Sequence, residues 1–423
     1  MRISGNGSDI SGTVTVPSSK SFSQRCILYA GFSETEARIG PLAFSNDENI
    51  ALDIIKSCGL NLVISGDYIE ISGKFSCPDL INVGESGTSY RISLGLLSAR
   101  GCRTEITGDR LLAARPIGPL VESLERCGAR FEFKPDGFPV MDAAETIMEE
   151  WVIDGSLSSQ YVTSVVMASS LKNDRSVIHV LGRTVSPDYL KITEESLDLF
   201  GIAAERSGNY YTVTRRSRPE KVYIEIEGDF SSAAVMLVFG VLGSADGIRV
   251  RGLKRRSIQG DSVIVKMLAD AGADISWDTD SNDDSIICRK SDLKKITVDA
   301  DRYPDLAIAL SITGIFSPPG VEILNPERLR LKESDRLDAI IKMAERYGSH
   351  VELRDKILKI QPGEERKPSD VTVDSKDHRI IMAEACAIAL SGSTGFIKFP
   401  HEVSKSYPAF FWELEKLSVK VIP

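Results

Sequence analysis

Six cations in this chain stand at predicted helix starts, where charge argues against them: Lys20, Arg115, Lys332, Arg336, Arg379 and Lys405. A cation at a helix N-terminus meets the positive end of the macrodipole, at a cost of a few tenths to about 1 kcal/mol. A bound anion reverses that sign, because the same end presents unsatisfied N–H groups. Polar residues gather at equivalent places: Ser21 and Arg25, Gly87 and Thr88 with Arg91, Ser158, Ser159 and Gln160, and Ser186 with Tyr189. Two carboxylates stand out from the many surface acids. Asp305 follows Pro304, and Glu333 sits between Lys332 and Ser334-Asp335-Arg336. A carboxylate and a lysine beside a bound anion can exchange protons with it. Each residue also has a plain reading: Asp305 as an N-cap, Lys332 paired with Asp335 or Asp338 along its own helix, the rest as solvated charge. Recurrence in matching turns favours a substrate with more than one anionic group and proton-coupled chemistry on it.

The elements that must hold these residues repeat. An apolar strand end, a Gly/Asp/Ser turn and an apolar helix recur with anchors at Val16, Val83, Ile153, Ile226, Val298 and Val373, in steps of 67, 70, 73, 72 and 75. A second landmark keeps the same beat: Gly59, Gly128, Gly201, Gly272 and Gly348 each suit the left-handed position that ends a helix. Alternating runs such as Leu60–Ile64 and Asp67–Ile71 follow and predict a β-hairpin. One unit therefore reads strand, helix, strand, helix, hairpin, with each strand–helix–strand passage inside one sheet. The sixth copy is cut short at Leu417–Ile422. Six units predict an α/β fold in two halves of three, with hinges near 14–19 and 225–229.

Composition bounds the function. The 423 residues, 42% hydrophobic and 26% charged, suit a soluble globular protein of two or three domains. A net charge of −9 argues against broad nucleic-acid affinity, while local cations can still bind small anions. Seven cysteines without a CxxC pair predict buried thiols in a reducing cytoplasm. Met1–Gly5 lacks the apolar core of a signal peptide, and the run Ala233–Val241 is too short to span a bilayer. The four histidines lack metal-ligand spacing, so no metal is expected. There is no P-loop and no GxSxG elbow.

These motifs, in this order, resemble the EPSP synthase (3-phosphoshikimate 1-carboxyvinyltransferase) family of enolpyruvyl transferases over nearly the whole length. The carrying stretches are Pro17-Ser18-Ser19-Lys20-Ser21 with Arg25, Gly87-Thr88 with Arg91, Arg115-Pro116-Ile117, Ser158-Ser159-Gln160 and Ser186-x-x-Tyr189. They continue with Asp305, Lys332-Glu333-Ser334-Asp335-Arg336, Asp377-His378-Arg379 and Lys405. The resemblance implies two similar domains of three βαβαββ repeats each, the inside-out α/β barrel of the EPT/RTPC-like class, closing on substrates. It assigns 1–18 plus 229–423 to a phosphoenolpyruvate and catalytic half, and 19–228 to a half that binds shikimate 3-phosphate.

By the same resemblance the enzyme joins phosphoenolpyruvate to the 5-hydroxyl of shikimate 3-phosphate and releases phosphate, without a cofactor. Asp305, Glu333 and Lys20 are implied as catalytic. Lys20, Ser21, Arg25, Ser158, Ser159, Gln160, Ser186, Tyr189, Asp305 and Lys332 are implied to hold shikimate 3-phosphate. Lys20, Gly87, Arg115, Gln160, Arg336, Arg379 and Lys405 are implied to hold phosphoenolpyruvate. No nucleic-acid or membrane partner is expected, and a cytoplasmic monomer is. Two positions depart from the family, which has Asn where this chain has Glu85 and Arg328. The sister transferase acting on UDP-N-acetylglucosamine carries a Cys five residues before its Arg, where this chain has Arg110. A non-catalytic anion-binding scaffold and an RNA-end-processing relative would share the repeat. The intact acid/base set weighs against the first and the acidic charge against the second.

Overall fold

The computed structural model describes residues 1–5, 10–144, 151–278, 284–363, 368 and 370–423. The chain divides into two compact units, Met1–Ser18 with Glu227–Pro423, and Ser19–Ile226. The described strands form six four-stranded sheets of one pattern. A leading strand pairs parallel with the strand after the first helix. That strand pairs antiparallel with the last strand of a hairpin, whose other strand lies at the edge.

Three sheets depart from the simple repeat. Gly12–Thr15 pairs parallel not with Glu36–Gly40 but with Ile248–Arg251, Val14 opposite Val250. Lys221–Glu225 takes the vacated place, pairing parallel with Glu36–Gly40, Ile224 opposite Ile39. The leading strands of the first and fourth repeats have exchanged sheets. Local pattern does not register this, because both strands bury alternate apolar residues in either sheet and only long-range register separates the two outcomes. The chain passes between units at Ser18/Ser19 and Ile226/Glu227. The truncated sixth repeat is completed by Arg2–Ser4, which pairs antiparallel with both Thr394–Ile397 and Lys420–Ile422.

All five spaced glycines adopt positive φ, from 75° at Gly201 to 100° at Gly128, where a side chain would be strained. In the sixth repeat Ser418 takes that position at φ 65°. The first helix of each repeat is buried on nearly every side. In one unit these are Lys20–Ser33, Gly87–Arg100 and Ser159–Lys172; in the other, Phe230–Gly243, Pro304–Phe316 and His378–Ser391. A helix enclosed by sheets and by its sister helices needs no polar face, which is why these segments read as near-continuous apolar runs. Polar residues gather in their first two turns, with others such as Ser98, Ser169 and Thr313 further along.

The cysteine expectation needs correction. Cys77 and Cys102 form a disulfide across 25 residues, and the five remaining cysteines are buried thiols. Two loop residues 25 positions apart gave no spacing signal for the pair. Among the described residues no helix is long and apolar enough to cross a membrane.

Candidate functional site

In the unit Ser19–Ile226 the first turns of the three inner helices are tied together by polar side chains. Lys20 opens its helix, with Ser19 at the N-cap making no side-chain cap bond. Its Nζ pairs with Asp47 Oδ2 at 2.8 Å. Gln24 Nε2 donates to Ser86 Oγ at 2.7 Å and Ser89 Oγ at 2.9 Å, bracing the start of Gly87–Arg100. Arg25 is 1% exposed. It donates to Thr193 Oγ1 at 2.9 Å, Thr163 Oγ1 at 3.5 Å and the carbonyl of Ser21 at 2.5 Å. Burial lowers its guanidinium to about 10, against which Tyr189 acts.

Arg91 is buried too. Its Nη1 donates to Gln160 Oε1 at 2.5 Å, while Gln160 Nε2 donates to Thr88 Oγ1 at 2.9 Å. Arg91 also donates to the carbonyl of Pro116 at 3.4 Å, as does the Tyr161 hydroxyl, so the Arg115–Pro116 turn is held against these helices. A Cβ on Gly87 would lie 3.3 Å from both Arg115 Nη1 and Arg91 Nη1. Two guanidiniums thus flank one helix start; burial first, then Arg115 among the charges, depresses Arg91. Among the described residues neither Arg25 nor Arg91 has a carboxylate ion-pair partner. A buried charge without a counter-ion is costly, and an anionic ligand removes the cost.

The other hydroxyls border the same helices. Ser158 caps Ser159–Lys172, accepting from Gln160 N at 3.2 Å, and Ser159 is buried. Ser186 is buried with φ 46°, a strained value for a non-glycine residue, just before the helix Asp188–Asp198 that carries Tyr189.

The other unit concentrates charge. Arg336, the first residue of the helix Arg336–Arg346, is 3% exposed. Its Nε reaches Asp377 Oδ2 at 2.7 Å and its Nη2 reaches Asp377 Oδ1 at 3.3 Å. Its Nη1 reaches Asp305 Oδ1 at 2.6 Å, and Glu333 Oε2 lies 3.7 Å from Nη2. Glu333 stands 2.8 Å from His378 Nδ1 and 3.9 Å from Lys405 Nζ. Arg379 Nη2 lies 3.5 Å from Asp305 Oδ2 and 3.9 Å from Asp229 Oδ2, and its Nη1 donates to Ser232 Oγ at 3.2 Å. Burial alone would raise the Glu333 carboxyl, yet His378, Lys405 and Arg336 hold it well below the usual range. Asp377 is likewise pushed up by burial but held low by Arg336.

Asp305 is not the N-cap: Tyr303 occupies that place without a side-chain cap bond, and Asp305 is the second residue of its helix, turned to the two arginines. Lys332 and Lys405 are not at α-helix starts. Lys332 follows the 3-10 turn Pro326–Leu331, Lys405 ends the turn Pro400–Lys405, and Arg115 lies before the helix Gly118–Arg126. Asp335 and Asp338 are engaged by Arg330 and Lys342. Lys20, Arg336 and Arg379 do occupy first turns. Sequence reasoning places Arg91, Asp377 and His378 in its motif stretches without giving them a role, and does not single out Asp229. Glu333, Asp377 and His378 bring three ligand atoms within 4.8 Å, the spacing a metal needs. Arg336 already grips Asp377 through two nitrogens, so a metal would have to displace it.

Known proteins extend these observations. The family model for EPSP synthase (3-phosphoshikimate 1-carboxyvinyltransferase) matches residues 5–414. A 3-phosphoshikimate 1-carboxyvinyltransferase of Thermoplasma acidophilum is 40% identical over 413 residues, 97% of each chain. One of Picrophilus torridus is 36% identical over 415 residues, again 97% of each. In structure, an EPSP synthase from Acinetobacter baumannii superposes with a TM-score of 0.80 at 21% identity, covering 100% of this chain and 99% of the other. The enolpyruvyl transferase NikO from Streptomyces tendae gives 0.76 at 15% identity, covering 99% and 97%. At those identities the structures speak for the fold, whereas the sequence matches speak for descent, and together they place this chain in the EPSP synthase family.

Proposed function

We propose that the protein transfers the 1-carboxyvinyl group of phosphoenolpyruvate to the 5-hydroxyl of shikimate 3-phosphate, in the shikimate pathway. The family match over residues 5–414 carries this reading. The family resemblance then suggests roles. Arg25, buried without a carboxylate, answers to an acceptor phosphate, with Lys20, Ser21, Ser158, Ser159, Gln160, Ser186, Tyr189, Asp305 and Lys332 around the acceptor. Arg115, beside Gly87, together with Lys20, Gln160, Arg336, Arg379 and Lys405, answers to the phosphate and carboxylate of phosphoenolpyruvate. Guanidinium forks suit both groups. Glycine at 87 leaves room for a ligand beside two arginines.

The reaction needs a proton delivered to the vinyl CH2 at C3, which makes C2 electrophilic. The acceptor hydroxyl loses its proton as its oxygen bonds to C2. Asp305, set between Arg336 and Arg379, takes that proton. The resulting ketal then loses one C3 proton while the C2–O bond to phosphate breaks, restoring the vinyl group. Lys20 and Glu333 handle the C3 proton and the leaving phosphate. Glu333 is held ionised by His378 and Lys405, as a proton acceptor must be. Glu85 and Arg328 change local contacts, Glu85 facing Asn46 at 3.5 Å, and take no step. Phosphorus NMR tests the reading. Both substrates together should give inorganic phosphate plus one remaining alkyl phosphate ester, the ring 3-phosphate. An unchanged phosphoenolpyruvate signal would overturn it.

A further inference from the structure

Gln259 lies outside every role assigned above, yet it braces the helix start that meets Arg379. It is 4% exposed and stands just before the 3-10 turn Gly260–Ser262. Its side-chain amide uses both hydrogens and its oxygen. Nε2 donates to Glu227 Oε1 at 2.8 Å and to the Gly228 carbonyl at 2.7 Å, and Oε1 accepts from Phe230 N at 3.0 Å. Ser257 orients it: the serine hydroxyl accepts from Gln259 N at 3.0 Å and donates to Glu227 Oε1 at 2.7 Å. The Gly228 carbonyl and the Phe230 N–H flank Asp229, so one amide grips the backbone on both sides of that residue. Two main-chain bonds complete the grip, from Gly228 N to the Gly252 carbonyl and from Asp229 N to the Pro17 carbonyl, both at 2.8 Å.

The segment held in this way touches Arg379 directly. Asp229 Oδ1 accepts from Ser231 N at 2.8 Å and from Ser232 N at 3.2 Å, capping Phe230–Gly243. Its Oδ2 lies 3.9 Å from Arg379 Nη2, and Ser232 Oγ accepts from Arg379 Nη1 at 3.2 Å. Both terminal nitrogens of Arg379 therefore meet the first turn that Gln259 fixes. A guanidinium recognises a phosphate or carboxylate through a planar fork, so its orientation matters as much as its charge. An arginine held in place before the ligand arrives loses less side-chain freedom on binding. We propose that Gln259 is a positioning residue for Arg379: through Asp229 and Ser232 it holds the guanidinium oriented for its anionic ligand. The inference rests on the reading of Arg379 as a phosphoenolpyruvate-holding residue.

The test compares KM for phosphoenolpyruvate with KM for shikimate 3-phosphate in wild type, Gln259→Met and Gln259→Glu, and repeats the comparison in an Arg379→Lys background. Methionine keeps the length of the side chain and makes none of its hydrogen bonds. Glutamate keeps an acceptor for Phe230 N and loses the donors, so the inference stays open to refutation if the methionine variant does not fold. Either change should raise KM for phosphoenolpyruvate on the order of tenfold, the worth of one hydrogen bond to a charged group. KM for shikimate 3-phosphate should stay within about twofold. Lysine at 379 lacks the fork that Asp229 and Ser232 hold, so in that background the Gln259 changes should add less than about twofold. A purely structural role would move both KM values together. An unchanged KM for phosphoenolpyruvate, an equal rise for both substrates, or a full rise retained in Arg379→Lys overturns the inference. A wild type that turns over no phosphoenolpyruvate overturns the functional reading instead. In that event calorimetric binding of phosphoenolpyruvate to the same proteins decides the role of Gln259, and a Kd that both Gln259 variants leave unchanged overturns it.

Discussion

Replacing Arg336 by methionine removes the guanidinium that three carboxylates share. Asp377 receives two of its nitrogens at 2.7 and 3.3 Å, Asp305 one at 2.6 Å, and Glu333 lies at 3.7 Å. The Arg336 and Asp377 side chains are 3% and 0% exposed, so solvent cannot screen what is left behind. Breaking a buried pair by deleting one partner costs about 3–5 kcal/mol. For a unit of this size each kcal/mol lowers the midpoint by roughly 2–4 °C, so a fall of about 6–20 °C is expected. The pH dependence identifies the cause. Arg336 depresses the Asp377 carboxyl in the folded state, so its stabilisation is complete above the unfolded carboxylate value near 4 and is lost as pH falls through the lower folded value. The wild-type and Arg336→Met midpoints should therefore lie far apart at neutral pH and converge as the medium is acidified below about pH 4. Differential scanning calorimetry across that range is the assay. A midpoint loss under about 2 °C at neutral pH, or a gap that does not shrink in acid, would refute the ion-pair account.

Lys20→Ala should lower kcat by a factor on the order of 10² to 10⁴, as for a lost proton-transfer group; steady-state turnover near that of wild type would remove Lys20 from the chemistry. Arg25→Met should raise KM for shikimate 3-phosphate about 10- to 150-fold, the worth of hydrogen bonds to a charged group. The ligand-free midpoint should fall little, because the variant no longer buries a charge without a carboxylate partner. Gly87→Ala should raise KM for phosphoenolpyruvate, since the new methyl meets Arg115 and Arg91 at 3.3 Å, while the melting midpoint holds. Reduction of the Cys77–Cys102 bond, which closes 25 residues, should cost about 3.5 kcal/mol in urea unfolding on the chain-entropy estimate.

The repeat was legible because two independent landmarks kept phase. The apolar anchors mark leading strands, and the spaced glycines mark helix ends that favour a left-handed residue. What escaped was long-range. The exchange of Gly12–Thr15 and Lys221–Glu225 between sheets leaves no local trace and was implied only by the resemblance, which grouped 1–18 with 229–423; the completion of the sixth sheet by Arg2–Ser4 leaves no local trace either. The Cys77–Cys102 pair escaped for the same reason. At the site, motif stretches marked the right neighbourhood, but charge placement misled in part. Lys332 and Lys405 stand at the ends of 3-10 turns, and Asp305 faces arginines instead of capping its helix.

The most direct test of the central claim is phosphate release from phosphoenolpyruvate by the purified protein, measured with shikimate 3-phosphate, with UDP-N-acetylglucosamine, and with no acceptor. Release that requires shikimate 3-phosphate, and is lost in Asp305→Asn, is the predicted result. Release with the UDP-sugar alone, or none with either acceptor, would contradict it.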